Sequence, residues 1–176
     1  MIYRRYRAED LTALGAIEER CFEPQLRFTP TYLRQLIKRD ETATWVAEDD
    51  GTVVGFAIVE WGKSAGGTGG YLQIIEVLPE WRGHGIDTRL MSLAEASASN
   101  VKAHAMLLHV DAEDKAAIRL YERCGYRRRG GKGHHYVRGR AALLYMKDLG
   151  QQGWTWTWNR RSKATKTLLP LLLHNM

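Results

Sequence analysis

The hydrophobic and polar positions along the chain predict an ordered series of strands and helices in its first 149 residues. Seven segments with alternating or continuous apolar residues predict strands: 2–7, 42–48, 53–61, 73–78, 105–110, 126–129 and 135–146. Helical spacing of apolar residues predicts four helices: 8–21, 31–38, a stretch from the loop after residue 81 to Ala98, and 114–124. The order β-α-α-β-β-β-α-β-α-β-β therefore predicts an α/β (α+β) domain.

Local turn signals predict where several of these elements begin and end. Thr29-Pro30 provides an N-cap followed by a first-turn proline, and Asp50-Gly51 is a strong hairpin signal between two strands. Gly125 takes the place of a residue that ends a helix. Residues 63–70 are rich in glycine and serine, which predicts a flexible loop. Such a loop could contact a substrate, or it could be only a flexible connection between two strands. We favour the second interpretation.

The most informative stretch runs from Gln73 to Met91 and joins a buried strand to a helix through a loop that contains glycine. Pro79 ends the strand, and the loop sequence Arg82-Gly83-His84-Gly85 leads into the helix. A helix start leaves backbone N–H groups unpaired, and these donors attract anions, phosphate above all. The alternative is that the glycines make only a tight connection. Neither a Walker loop nor the Gly-x-Gly-x-x-Gly spacing of a dinucleotide site is present.

Charge and cysteine content narrow the class of protein. The chain carries a formal charge of +6, which fits an acidic substrate, ribosomal or nucleic-acid surroundings, or solubility alone. Seven basic residues crowd one segment: Arg123, Arg127, Arg128, Arg129, Lys132, Arg138 and Arg140. Cys21 and Cys124 lie in apolar helical contexts, so we expect reduced, buried thiols and a cytoplasmic protein. The sequence shows neither an apolar signal core nor a membrane-spanning run, so we expect no membrane partner.

The composition changes past residue 149, which predicts a domain over residues 1–149 and a tail over residues 150–176. The tail contains alternating tryptophans, a basic stretch and an apolar end. A segment this apolar is expected to pack on the domain or on a second copy, which would make a homodimer. Tryptophan stacking and basic charge would also suit nucleic acid, an interpretation that we do not favour.

Two segments resemble the GNAT superfamily of N-acetyltransferases. VLPEWRGHGIDTRLM resembles the family's acetyl-CoA-binding signature Gln/Arg-x-x-Gly-x-Gly/Ala, and HVDAEDKAAIRLYERCGYRRRG resembles a second segment, Asn-x-x-Ala-x-x-Leu-Tyr-x-x-x-Gly-Phe. The pattern is most similar to ribosomal-protein N-terminal (alanine) acetyltransferases and their relatives. The resemblance covers roughly residues 1–149 and implies a mixed, mostly antiparallel sheet of about seven strands with flanking helices, splayed between strands 4 and 5.

The resemblance also implies a set of residues that bind acetyl-CoA. The pantetheine arm would pair with strand backbone around Val77, and the pyrophosphate would bind the loop and the helix start, at Arg82, Gly83, His84, Gly85, Ile86, Asp87 and Thr88. Asp87 replaces the last small residue of the signature, so its carboxylate either turns from the phosphates or lowers cofactor affinity. Asp114 replaces the asparagine of the second segment and can still cap its helix. No metal is expected.

The catalytic candidates follow from the chemistry of acetyl transfer to an amine. The ammonium must lose a proton and the departing thiolate must gain one. Tyr121 lies at the family's general-acid position, with a core tyrosine as the alternative. Glu76 and His109 are rival general bases; His109 aligns with a glutamate of the ribosomal-protein acetylases, and an imidazole is a competent base at neutral pH.

We therefore expect an acetyl-CoA-dependent N-acetyltransferase that acts on a peptide N-terminus or a lysine, with an acidic or ribosomal protein as the partner. A small-molecule amine acceptor (a polyamine, an amino acid or an aminoglycoside) is the alternative with the same chemistry. Asp87 and the missing family glutamate motivate another alternative, a weakly active acetyl-CoA-binding module.

Overall fold

The computed structural model of the chain describes residues 1–64, 67–130, 135–136 and 140–150. Its strands are β1 (Ile2–Arg5), β2 (Thr42–Asp49), β3 (Thr52–Ser64), β4 (Gly67–Val77), β5 (Ala105–Asp111), β6 (Arg127–Gly130), β7 (His135–Tyr136) and β8 (Arg140–Asp148). Its helices are α1 (Leu11–Cys21), α2 (Pro30–Ile37), α3 (Ile86–Asn100) and α4 (Lys115–Arg123). The predicted order is confirmed, except that β7 and β8 take the place of one predicted last strand.

The first of two compact units comprises Met1–Glu60 and Leu72–Ser97. β1 pairs with β2 and β2 pairs with β3, both antiparallel. The predicted cap of α2 is present, since the Thr29 hydroxyl accepts a hydrogen bond from the Tyr32 amide at 3.1 Å. Asp50 and Gly51 have φ angles of 45° and 76°, which confirms the predicted hairpin turn. The largest fully buried side chains of this unit are aromatic, aliphatic and acidic: Phe56, Leu14, Ile17, Leu33, Leu36, Ile58, Leu90, Met91 and Glu18.

The second unit comprises Trp61–Tyr71 and the described residues from Ala98 onward. In it β8 pairs antiparallel with β5, β6 and β7, whereas β4 pairs with β5 in parallel. The parallel pairing covers only Gly69, Gly70 and Tyr71, while β4 continues to Val77. The strand order is β1-β2-β3-β4-β5-β8-β6, with β7 beside β8. The predicted mixed, mostly antiparallel sheet and its splay between strands 4 and 5 are confirmed.

The flexible loop predicted for residues 63–70 is wrong. β3 extends to Ser64 and β4 already begins at Gly67. A Cβ atom at Gly70 would lie 2.5 Å from the Sδ atom of Met106 and 2.9 Å from the Cβ atom of Ala98. Glycine is therefore required here because neighbouring side chains pack directly against the strand backbone, and it does not indicate a flexible loop.

Three further expectations concern membranes, thiols and the tail. Among the described residues, every helix is too short or too polar to cross a bilayer. Cys21 and Cys124 form no disulfide within the described residues, as predicted, but each is half-buried, so the prediction of buried thiols is wrong. Residues 151–176 lie outside the described residues, so the domain boundary, the packing of the tail and a homodimer through it stay predictions.

Candidate active site

The loop between β4 and α3 has the backbone of an anion-binding turn. Gly83 and Gly85 have φ angles of 82° and 76°, in the left-handed region that other residues rarely adopt. A Cβ atom at either position would meet open space, so conformation and not crowding requires the glycines. The buried Ile86, 2% exposed, anchors the first turn of α3, while the loop itself is exposed. The result is an accessible helix N-terminus whose first amides lack partners within the helix.

The Val77 carbonyl at the end of β4 accepts hydrogen bonds from two side chains. Arg82 Nε donates to it at 3.0 Å, and the Cys21 thiol lies 3.6 Å from it. Burial, followed by the charge of Glu76, raises the pKa of the Cys21 thiol to about 11, so the thiol stays protonated and can donate. The bond from Arg82 engages its Nε and leaves the Nη groups of the same guanidinium as further donors. The role of Val77 as a strand that pairs with the cofactor stays a prediction.

Asp87 lies at the N-terminus of α3 and accepts hydrogen bonds from its neighbour. Its Oδ1 atom lies 2.7 Å from the Thr88 amide and 3.3 Å from the Thr88 hydroxyl. The carboxylate thus accepts the hydrogen bond of one of the amides that are predicted to bind pyrophosphate, and the helix dipole stabilises the negative charge there. His84 makes a local contact as well, with Nδ1 3.2 Å from the Trp81 carbonyl.

Glu76, one of the two predicted bases, is buried against a second carboxyl group that sequence reasoning missed. Glu76 is 5% exposed and Glu18 of α1 is 1% exposed. Burial, the charge of Glu18 and a hydrogen bond between the two carboxyls raise the pKa of Glu76 far above its usual range, and Arg82 offsets this only in part. A raised pKa favours the protonated carboxyl group, which has no free site to accept the proton of an ammonium, so it counts against Glu76 as the base.

His109, the other predicted base, has a partner in the second unit. The Tyr71 hydroxyl and His109 Nδ1 lie 2.8 Å apart, and the two rings are tilted by 44°. Tyr71 is 7% exposed, whereas His109 is half-buried. When Nδ1 carries the hydrogen and donates it to Tyr71, Nε2 is left as an acceptor, which is the tautomer that a general base requires.

Tyr121 and Asp114 lie on and before α4. Tyr121 is 8% exposed and its ring makes an edge contact with Tyr126, with centroids 6.2 Å apart. Asp114 Oδ1 accepts a hydrogen bond from the Ala117 amide at 2.9 Å, which is the predicted cap. The predicted residues thus fall into two groups. Glu76, Val77 and Arg82–Thr88 belong to the first unit, and His109, Asp114 and Tyr121 belong to the second.

Tyr71 and Glu18 are the functional candidates that sequence reasoning missed. Tyr71 is in register with Leu107 of β5, and Leu107 shares a strand face with His109 because strand side chains alternate. The sequence hides that signal, because the glycine- and serine-rich residues 63–70 predict a loop and the apolar pattern predicts a strand only from Gln73. Glu18 follows Leu14 by one helical turn on the buried side of α1, so a carboxylate within an apolar stripe was the available signal.

Comparison with known proteins identifies the class of protein. The sequence model of the Acetyltransferase (GNAT) family matches residues 11–126. An uncharacterized N-acetyltransferase of Methanocaldococcus jannaschii is 30% identical over 84% of this chain and 91% of its own. The catalytic subunit NAA10 of the Arabidopsis thaliana N-terminal acetyltransferase A complex is 30% identical over 83% of this chain and 77% of its own.

Solved structures share the fold. The ribosomal-protein-S18-alanine N-acetyltransferase of Escherichia coli superposes with a TM-score of 0.74 at 19% identity, covering 89% of this chain and 99% of that one. Arabidopsis thaliana NAA60, solved in complex with acetyl-CoA, gives 0.72 at 20% identity, covering 85% and 99%. The chain belongs to the acetyltransferase (GNAT) family, and the predicted enzyme class, an N-acetyltransferase, is confirmed.

Proposed function

We propose that this protein transfers the acetyl group of acetyl-CoA directly to a primary amine at a protein N-terminus or a lysine side chain. The observation that carries the proposal is the loop between β4 and α3, where Gly83 and Gly85 take positive φ angles and leave exposed amides at a helix start. Two relatives at this similarity, NAA10 and an N-alpha-acetyltransferase of Sulfurisphaera tokodaii, are named for acetylation of the α-amine.

The cofactor site follows from this loop. Backbone amides from Arg82 to Thr88 would bind the pyrophosphate, because the dipole of α3 favours an anion there. Two of these amides already have acceptors, since Arg82 N–H donates to the Pro79 carbonyl at 3.3 Å and Thr88 N–H donates to Asp87 at 2.7 Å. Arg82 would contribute its charge. Asp87 works against binding in two ways, through its charge and through its bond to the Thr88 amide, so we expect lower cofactor affinity than the loop backbone alone would provide.

The proton chemistry of the reaction is assigned to residues of the second unit. His109 would take the proton of the acceptor ammonium at Nε2, with its Nδ1–H donated to Tyr71. Tyr121 would donate its phenolic proton to the departing thiolate, as the family resemblance implies. Glu76 is left out of this proposal because burial and the neighbouring Glu18 raise the pKa of its carboxyl group.

The charge of the second unit supports an acidic or ribosomal protein as the acceptor. β6 lies at the end of the strand order, and all of its residues, including Arg127, Arg128 and Arg129, are exposed. A basic edge strand discourages edge-to-edge pairing, and it also attracts acidic partners through long-range electrostatics. A small-molecule amine remains the alternative acceptor. The predicted cytoplasmic location is supported by the two cysteines, which form no disulfide within the described residues.

A thiol-release assay with acetyl-CoA tests the proposal against a panel of acceptors. Peptides with a free N-terminus should release CoA, and the same peptides with a blocked N-terminus and no lysine should not. A preference for polyamines, amino acids or aminoglycosides would favour the small-molecule alternative. If no amine is acetylated, transferase activity is refuted and the interpretation as a cofactor-binding module is left. Tyr121→Phe should lower kcat, and unchanged turnover would refute the assignment of Tyr121 as the acid.

A further inference from the structure

Two carboxyl groups in the first unit are buried without the partners that buried charges normally require. Glu18 on α1 is 1% exposed and Glu76 on β4 is 5% exposed. Within the described residues, Glu18 Oε1 and both carboxyl oxygens of Glu76 are fully buried, and no N–H or O–H donor from outside the pair reaches them. The remaining oxygen, Glu18 Oε2, accepts a hydrogen bond from the Phe28 amide at 3.2 Å. Buried charges without ion pairs are costly, so this pair requires an explanation.

The basic side chains near the pair are already engaged elsewhere. The charge of Arg27 acts on Glu18, and its guanidinium donates to the carbonyls of Phe22 and Glu19 at 2.7 and 2.6 Å. The charge of Arg82 acts on Glu76, and its Nε donates to the Val77 carbonyl. The remaining titratable neighbour, the Cys21 thiol on α1, is protonated and neutral.

One proton between the two carboxyl groups satisfies this geometry. Two ionised carboxylates side by side in a dry interior would repel each other, and neither could donate a hydrogen bond. A neutral carboxyl group has one O–H donor, which its ionised neighbour can accept as a charge-assisted hydrogen bond. The Phe28 amide then supplies a second hydrogen bond to the ionised partner.

We propose that Glu18 and Glu76 share a single proton and form a positioning pair that fastens the segment between α1 and α2, through Phe28, to the end of β4 that precedes the cofactor loop. The catalytic consequence rests on the proposed function, since β4 and this loop are where acetyl-CoA is expected to bind. Glu76 is thus a positioning residue and His109 is the base. Loss of the shared proton at alkaline pH breaks the bond and loosens this end of β4.

Glu76→Gln separates this role from base catalysis. Glutamine has the same size and keeps an N–H donor for Glu18, so it mimics the neutral carboxyl group. In the wild type, the loosening of β4 should raise the KM for acetyl-CoA at alkaline pH. We expect Glu76→Gln to keep kcat at neutral pH within about threefold of wild type and to lack the alkaline rise in KM. A general base would instead lose about 10²–10⁴-fold in kcat. Glu19→Gln, an exposed neighbour on α1, is the control for removing one negative charge and should keep the wild-type pH profile.

Infrared spectroscopy tests the proton without using the activity. The wild-type protein at pH 7 should show the carbonyl stretch of a protonated carboxyl group, and this band should vanish in Glu76→Gln and persist in Glu19→Gln. Absence of the band in wild type would overturn the proposal, and this result does not depend on whether a variant folds. A band that survives in Glu76→Gln, or a hundredfold loss of kcat in that variant, would also overturn it. If the wild-type protein shows the band but has no transferase activity, the proposal of a shared proton stands and the proposed function is refuted.

Discussion

The hydrogen bond between Tyr71 and His109 makes a prediction that a double-mutant cycle can test. His109→Gln removes the imidazole, Tyr71→Phe removes only the hydroxyl, and the double variant removes both. If His109 is the general base, the first change lowers kcat by about 10²–10⁴-fold at neutral pH. It also removes the acidic limb of the pH–rate profile, because glutamine does not titrate.

The magnitude for Tyr71→Phe follows from its geometry. The hydroxyl is that of a tyrosine only 7% exposed and lies 2.8 Å from Nδ1, so the change removes this hydrogen-bond partner on the buried side of a half-buried imidazole. An unsatisfied buried group costs about 1–3 kcal/mol, which corresponds to a roughly 5- to 150-fold loss if the lost bond holds the base in its reactive tautomer. The double variant should be no slower than His109→Gln alone, because Tyr71 acts through His109.

The assay is steady-state CoA release at saturating acetyl-CoA, with each variant checked for folding by thermal unfolding. Tyr145→Phe is the matched control, since it removes another tyrosine hydroxyl of the same unit, one that donates to Glu122 Oε1 at 3.0 Å. We expect wild-type kcat from that variant. Additive losses in the double variant, or a His109→Gln enzyme within about threefold of wild type, would refute the assignment of His109 as the base oriented by Tyr71.

Three further predictions concern stability and cofactor affinity. Asp10 is 4% exposed, and Arg4 binds both of its carboxylate oxygens at 2.8 Å. Arg4→Ala removes this ion-pair partner and should lower the unfolding free energy by about 3–5 kcal/mol in chemical denaturation. A loss below about 1 kcal/mol would contradict this. Asp87→Asn should tighten acetyl-CoA binding several-fold in calorimetry by removing a negative charge, at the cost of about 0.3–1 kcal/mol in unfolding free energy at the start of α3; weaker binding would show that the carboxylate assists the cofactor. The raised pKa of Glu76 means that the folded protein keeps a proton that the unfolded chain releases above about pH 4.3. The unfolding free energy of wild type should therefore fall relative to Glu76→Gln as the pH rises, by up to about 1.4 kcal/mol per pH unit, and parallel profiles would contradict the raised pKa.

Features encoded by local sequence were predictable. The Thr29 cap, the Asp50-Gly51 turn and the Asp114 cap each depend on a few neighbouring residues, and each is present in the structure. The loop glycines were recognisable for the same reason, because Gly83 and Gly85 stand between a clear strand and a clear helix.

Features that depend on distant residues were not predictable. The bond between Tyr71 and His109 depends on the register of β4 against β5, which a single sequence does not specify. The protonation of Glu76 depends on a carboxyl group of α1, many residues earlier in the chain. Gly70 was misinterpreted as slack because its packing partners, Met106 and Ala98, come later in the sequence. In each case the tertiary contact decided the chemistry.

The central claim, that the loop between β4 and α3 binds the pyrophosphate of acetyl-CoA, is tested most directly by calorimetric titration with two ligands. Acetyl-CoA and acetyl-pantetheine share the thioester arm, and the second lacks the pyrophosphate and the nucleotide. We predict saturable binding of acetyl-CoA and weaker binding of acetyl-pantetheine, by up to roughly 30-fold, since helix-terminus contacts to an anion contribute up to about 2 kcal/mol. Equal affinity for the two ligands, or binding of neither, would contradict the account.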